Sequence, residues 1–425
     1  MPTMTPPLKL SPSRAQCTVA FTEAEVATAE EKALRKIGGT MRIEGFRPGK
    51  VPAEIVKQKV DPAELSEEIV RSLLPGVFDT VLGEHKIHPI IPPKVDLTVR
   101  APLTLVLTFV EKPDVILKGV DKIRIVKKDV TIEKKDIDRM IEYLRNQYRT
   151  TVPADRPAKE GDELTVDFVG TLDGREADGT RATGYTITLG SKSLIPGFEE
   201  ALAGMNIGEQ KTFTLTFPEE YRAEHLRGKP VAFTTTVHAI REVRLPDFTD
   251  AFVKEHHLGD SLADLATKIE NTLREQQKRD EQIRREKELF DAIRAATQID
   301  LAPELIAHEE RMIFDDIARN LEREKTGMDD WLKRSGRTVE SLQKELQDEA
   351  RKRLTLRFAI QWLLEDKKID ATPQELDAAR EMLLAGINPE ERANAATFYA
   401  ESGDGYEELQ WKKRVEKLVE VMLAA

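Results

Sequence analysis

From Ser261 to about Ala296 the chain reads as one helix, on the order of 50 Å long at 1.5 Å per residue. Ser261-Leu262-Ala263-Asp264 supplies its cap. More helices follow. Pro303 to about Glu324 places Ile306, Ile313, Ile317 and Leu321 on one face, and Thr338 to about Asp366 forms a third helix. Thr372-Pro373-Gln374-Glu375 is a capping box with proline at the first helical position, and Tyr406 to Leu423 closes the series. Long helices joined by short turns predict extended, antiparallel arms rather than one globule. Their apolar positions drift instead of keeping a heptad, which argues against a coiled coil, and no fixed-period repeat suggests a solenoid.

A chain of 425 residues has room for two to four domains. Its net charge of -11 disfavours a general nucleic-acid-binding surface, and essentially all of the acidic excess falls after about residue 246. The near-neutral first part is therefore the part able to approach RNA. Cys17 is the lone cysteine, so no intrachain disulfide forms, and it reads as a small buried hydrophobe. Met1 to Leu10 lacks the pattern of a signal peptide, and no apolar stretch approaches the ~20 residues of a membrane helix. A cytoplasmic protein is expected.

The first block runs over residues 1–112. Cys17 to Phe21 alternates as a strand, and Thr22-Glu23-Ala24-Glu25 is a capping box. The helix that follows buries Val26, Ala29, Ala33 and Ile37 and should stop at Gly38-Gly39. Ala53 to Val60 and Leu65 to His85 read as helices, and Val95 to Val99 with Leu103 to Val110 as a strand hairpin. This is a small α+β domain. Residues 113–151 read as a connector with one strand, Lys122 to Val126, and one amphipathic helix presenting Ile137, Met140, Ile141, Leu144 and Tyr148.

Residues 152–243 form a second domain, and residues 244–425 the helical one. In the second domain Leu164 to Gly170, Thr212 to Phe217 and Val231 to Ala239 alternate strictly, and Asp173-Gly174 and Asp178-Gly179 supply turns. Ile195 to Leu202 reads as one short helix across the sheet. The run Leu189-Gly190, Leu194 to Glu199, Ala201-Leu202, Gly204-Met205 and Gly208-Glu209 resembles the FKBP family of peptidyl-prolyl isomerases. That resemblance implies a pocket lined by Phe168, Tyr185, Leu194, Phe198 and Phe233. The backbone N–H of Ile195 would meet the substrate carbonyl, and Asp178 and Tyr221 would supply polar edges. Phe213 and Phe217 read instead as sheet core. Many family members carry an aromatic where Ala177 stands, and smaller members a Trp where Phe198 stands. Both departures thin the aromatic wall, so the resemblance implies a weak isomerase.

Gly45-Phe46-Arg47-Pro48-Gly49-Lys50-Val51-Pro52 sets an aromatic and two cations in a tight, exposed loop suited to an anionic or mixed partner. It resembles the ribosome-docking signature of the trigger factor family of bacterial chaperones. Pro48 departs from members that carry Lys there, which shifts weight from charge to the packing of Phe46. With an FKBP-like block and a helical C-terminal region following in order, the resemblance covers nearly the whole chain. It implies an α+β multidomain protein: a small α+β ribosome-docking domain, an FKBP-like β-sheet domain with one short helix, and an extended all-α C-terminal domain with arm-like helices. That helical domain would lie between the other two in space.

The implied work is ATP-independent holding of newly made chains at the exit tunnel, with prolyl isomerisation as a secondary activity. The implied partners are the large ribosomal subunit, through ribosomal protein and rRNA, and nascent and unfolded polypeptides. No membrane and no cofactor or metal is implied, and there is room for a weak homodimer of the free chain. Two other readings stay open on the residues alone: a free-standing FKBP-type isomerase, and a non-enzymatic cytoplasmic scaffold. Other chemistries lack their motifs. Neither Gly49-Lys50 nor Gly228-Lys229 is followed by Ser or Thr, so there is no P-loop. His256-His257 lacks spaced metal-ligand partners, no Gly-x-Ser-x-Gly elbow occurs, and the pairs Glu309-Glu310 and Asp315-Asp316 read as solvated helix surface.

Overall fold

The computed structural model describes residues 2–43, 46, 51–100 and 102–424. The chain divides into two compact units, Met1–Lys127 with Gln282–Ala425, and Lys128–Glu281.

The first unit opens with strands β1 (Thr3–Met4), β2 (Leu8–Ser11) and β3 (Arg14–Ala20), followed by helix α1 (Glu23–Thr40). The Thr22 hydroxyl accepts from the Glu25 N–H at 3.3 Å, and the Glu25 carboxylate accepts from the Thr22 N–H at 3.0 Å, completing the expected capping box. Contrary to expectation, α1 runs through Gly38 and Gly39 to Thr40. Gly38 acts in packing rather than in stopping the helix, because a Cβ there would lie 3.0 Å from Val56 Cγ2. Val56 belongs to α2 (Ala53–Lys59), and α3 (Pro62–His85) follows, capped by Asp61 and carrying Pro75 inside it. Strands β4 (Lys94–Arg100) and β5 (Leu103–Val110) complete a sheet ordered β1-β3-β5-β4, with β2 also on β3. The alternate residues Ala15, Cys17, Val19, Leu105, Leu107 and Phe109 are buried against Val77 and Val81 of α3. Burial pushes the Cys17 thiol up to about 11.

Strand β6 (Val115–Leu117) comes next, and the expected strand at Lys122 to Val126 is absent. A 3-10 turn at Val120–Lys122 leads instead into irregular backbone. Ile123 and Ile125 alternate because both pack on a helical core, not because that segment pairs in a ladder.

The second unit begins with α4 (Lys134–Gln147), whose Ile137, Met140, Ile141 and Leu144 pack on Val253, Leu265 and Ile269. Then come β7 (Thr150–Pro153), β8 (Glu163–Leu172), β9 (Arg175–Thr188), the short helix α5 (Phe198–Leu202), β10 (Gln210–Thr216) and β11 (Pro230–Arg244). The sheet is ordered β10-β11-β8-β9, with β7 on β11. Asp173 and Gly174 have φ of 51° and 80°, the left-handed pair that a two-residue hairpin requires. Asp178-Gly179 is not a turn. It lies inside β9 at a register shift against β8, where Gly179 has a φ of 76°. The short helix α5 is also narrower than expected, because Gly197 at φ 91° holds the residues before it out of the helix.

Helices α6 (Asp250–Glu255) and α7 (Leu262–Ala296) follow, and the Ser261 hydroxyl accepts from the Asp264 N–H at 3.1 Å to cap α7. The remaining elements are β12 (Thr297–Ile299), α8 (Pro303–Arg323), α9 (Met328–Ser335), α10 (Val339–Asp366), α11 (Pro373–Ala385), α12 (Arg392–Phe398) and α13 (Tyr406–Ala424). Two cores hold this part of the first unit. Leu289 and Ile293 of α7 pack with Leu363 and Leu364 of α10 and Leu418 of α13. Val110 at the end of β5 packs with Leu305 and Ile306 of α8 and Leu354 and Phe358 of α10. Each fully buried Leu or Ile stabilises by roughly 1.5–3 kcal/mol relative to exposure. Strand β12 pairs with β6, Thr297 opposite Leu117 and Ile299 opposite Val115. Among the described residues no helix is long and apolar enough to cross a membrane.

Candidate active site

The alternation of β8 sends Leu164 and Val166 into a core shared with Val231, Phe233 and Val237 of β11. Phe168 continues that face at its open end. Two residues on, Gly170 has no Cβ for a physical reason: one would lie 2.6 Å from Thr180 Oγ1 and 2.9 Å from Val231 Cγ1. The buried Thr180 hydroxyl therefore sits against β8, 3.0 Å from the Gly170 carbonyl and 2.7 Å from the Ala177 carbonyl. This hydroxyl fixes the irregular stretch of β9 and aims Gly179 and Thr180 at a cavity of about 350 Å³.

Four phenylalanines wall the cavity: Phe168, Phe198, Phe217 and Phe233. Phe198 and Phe233 meet edge to face at 5.1 Å and 80°, and Phe168 meets Phe198 at 5.2 Å and 69°. Such pairs favour the tilted arrangement because ring edges are positive and ring faces negative. Phe217 stands edge-on to Tyr221 at 4.6 Å. Leu194, Ile195 and Pro196 also line it, with Thr180, Ser193 and Tyr221. The Ile195 N–H has no hydrogen-bond partner among the described residues. A donor of this kind beside an apolar, ring-walled cavity suits an amide that must leave water and twist.

Of the residues expected from the sequence, the structure gathers Phe168, Leu194, Ile195, Phe198, Tyr221 and Phe233 around this one cavity. Tyr185 and Asp178 do not line it. Tyr185 is exposed and stands behind Phe168, ring centroids 5.9 Å apart. Asp178 is exposed, and its carbonyl oxygen lies 3.3 Å from His225 Nε2. Phe213 packs on Phe198 and Phe233 from the core side, whereas Phe217 is both buried and a wall of the cavity. The alternation of Thr212 to Phe217 placed both phenylalanines on one face. What distinguishes them is that Phe217 falls where β10 has ended, beside Pro218. Thr180, Ser193 and Pro218 were missed, and only the glycine at 170 hinted at the close approach of Thr180.

One carboxylate close to the cavity is buried. Burial alone would raise the pKa of Glu199, but hydrogen bonds from the Lys192, Ser193 and Leu194 N–H groups and the Ser191 hydroxyl outweigh it and hold the carboxyl below the ordinary range. Across the sheet, Asp167 accepts from the Gly184 N–H at 2.6 Å and pairs with His238 Nε2 at 2.7 Å, which likewise keeps its carboxyl low.

In the loop that resembles a docking signature, Phe46 is 38% exposed at a bend, its N–H donating to the Ile43 carbonyl at 3.2 Å. Gly45, Arg47, Pro48, Gly49 and Lys50 lie outside the described residues.

Comparison with known proteins agrees with this order of parts. Residues 7–144 match the family model described as bacterial trigger factor protein, residues 154–238 that of FKBP-type peptidyl-prolyl cis-trans isomerase, and residues 261–424 that of the trigger factor C-terminus. A trigger factor of Levilactobacillus brevis is 31% identical over 85% of both chains. A trigger factor of a Geobacillus species is 28% identical over 97% of both. A solved structure titled "Promiscuous Substrate Recognition in Folding and Assembly Activities of the Trigger Factor Chaperone" aligns over 99% of both chains at 21% identity, with a TM-score of 0.46. With matches of this extent, from one end of the chain to the other, the chain belongs to the trigger factor family.

Proposed function

We propose that this protein is an ATP-independent chaperone that docks on the large ribosomal subunit beside the exit tunnel and holds newly made chains, with a peptidyl-prolyl isomerase centre at the Phe168–Phe233 cavity. The observation that carries this reading is the succession of three family matches along one chain, the middle one enclosing the ring-walled cavity. In this reading residues 1–112 dock, residues 113–151 connect, residues 152–243 isomerise and residues 244–425 hold clients. The cytoplasm is the compartment.

Client holding draws on apolar side chains left in water. Ile283, Met312, Phe314, Val339, Met382 and Val421 are each at least 40% exposed, and they fall on five helices, α7, α8, α10, α11 and α13. Several weak contacts of this kind give avidity and still release a client as it buries its own core. Isomerisation would use the Ile195 N–H as donor to the twisted carbonyl while the rings exclude water.

Co-sedimentation with ribosomes tests the docking, comparing the wild type with a Phe46→Ala, Arg47→Ala, Lys50→Ala triple variant. Binding should be lost in the triple variant and should weaken with salt in the wild type. Equal co-sedimentation at moderate salt would sink the docking role. Suppression of aggregation of a proline-free client, set beside turnover of a short prolyl peptide, separates a chaperone from a free-standing isomerase.

A further inference from the structure

The loop that carries Ile195 has an awkward backbone. Gly190, Lys192 and Gly197 all adopt left-handed conformations, with φ of 88°, 55° and 91°. For Lys192 that region is disfavoured, because a Cβ crowds the following carbonyl. A second cavity of about 450 Å³ adjoins the ring-walled one and is bounded by Glu160, Leu189, Lys192, Glu199 and Glu200. Leu194, Ile195 and Pro196 line both cavities. Leu194 and Ile195 are half-buried against the domain core, whereas Ser191, Lys192 and Ser193 are exposed, so side-chain packing fixes the Ile195 end of the loop and not the stretch before it.

Glu199, in the first turn of α5, is 6% exposed and turns its carboxylate into this loop. One oxygen accepts from the Ser193 N–H at 2.8 Å and the Ser191 hydroxyl at 3.0 Å. The other accepts from the strained Lys192 N–H at 3.0 Å. A buried charge is tolerated where several donors converge on it. Each of these donors lies within four residues of Ile195.

We propose that Glu199 is the positioning residue of the site: its buried carboxylate clamps residues 191–194 and so holds the Ile195 N–H and the Leu194 side chain toward the prolyl amide. This rests on the isomerase reading above and adds what orients its donor. Glu199 itself touches no substrate. It holds the backbone of residues 191–193, whose own side chains are exposed.

The test compares wild type, Glu199→Gln and Glu200→Gln in the full chain. Gln keeps the size of Glu199 but turns an amide NH2 toward N–H donors. Amide hydrogen exchange at Lys192, Ser193 and Leu194, the N–H groups that Glu199 holds, should quicken ~10-fold or more in Glu199→Gln, with the β8 and β11 amides unchanged. Turnover of a short prolyl peptide should fall about 10-fold or more, mostly in kcat, because a displaced donor is missed chiefly in the transition state. Glu200→Gln should match wild type in both. A purely structural Glu199 would lower the unfolding midpoint yet leave kcat and the three amides alone, and that result overturns the proposal. So does faster exchange with unchanged kcat. Wild type that fails to turn over any prolyl peptide overturns the isomerase reading, and the exchange of the three amides then decides the clamp by itself.

Discussion

The guanidinium of Arg14 on β3 forms an ion pair with the carboxylate of Glu304 in the first turn of α8, across 290 residues of sequence. The side chains are 28% and 11% exposed, and Arg14 Nε and Glu304 Oε2 are buried without a hydrogen bond among the described residues. Removing one partner leaves a part-buried charge unpaired. Glu304→Leu or Arg14→Met should each destabilise the first unit by about 1–3 kcal/mol, and the double variant should recover much of the loss. Chemical denaturation of the four proteins gives the coupling. Strictly additive effects would show that the pair does not stabilise.

The ring of Phe168, a wall of the cavity, meets three others edge to face: Tyr185, Phe198 and Phe233. Phe168→Leu keeps an apolar side chain and loses those ring edges. At about 0.5–1.5 kcal/mol per lost ring contact, turnover of a prolyl peptide should fall roughly 3- to 10-fold or more. Aggregation suppression of a proline-free client should be unchanged. A parallel loss of both activities would mean that the cavity serves client holding as well.

The two glycines near the end of α1 should respond differently to alanine. A Cβ at Gly39 meets nothing within 4 Å, so Gly39→Ala gains helix propensity, up to about 0.5–1 kcal/mol. At Gly38 the same Cβ would press on the buried Val56, which offsets that gain or reverses it. Thermal melting of the two variants decides this. Equal stabilisation would show that Val56 yields freely.

Acid should loosen the junction of α11 and α13. Glu375 accepts from the Thr372 N–H at 2.7 Å and from Lys417 Nζ at 2.9 Å, which hold its carboxyl down at about 2. A depressed carboxyl contributes stability above its unfolded value, and that contribution is lost as pH falls from about 4.3 through about 2. Glu375→Gln should flatten this part of the pH dependence, followed by the unfolding midpoint in steps of pH. An unchanged slope would place the acid sensitivity elsewhere.

Much of this architecture was legible because local signals agreed with tertiary packing. The Thr22, Ser261 and Thr372 caps fall where helices begin, and the alternating runs became β8, β10 and β11. Three of the misreadings share one cause, a local signal overruled by a packing partner. Gly38 looked like a stop until Val56 packed against it, and Ile123 and Ile125 alternated to meet helices instead of a strand. Asp178-Gly179 carried turn residues, yet Thr180 uses them for an irregularity within β9. In the site the ring positions were readable, because alternation fixes a face. The clamp at Glu199 was not, since nothing about a glutamate in a short helix shows that it will be buried.

The pairing of β6 with β12 has a consequence for the order of synthesis. Val115 leaves the ribosome long before Ile299, and the strands β8 to β11, which pair with one another, are made in between. Val110 and Val120 then wait for the helices that cover them, and the core begun at Val120 closes only when Leu418, Val419 and Met422 of α13 arrive. Such non-local closure is slow and leaves apolar surface bare meanwhile. Until its own last helix is made, this chain is an unfinished nascent protein of the kind it is proposed to hold.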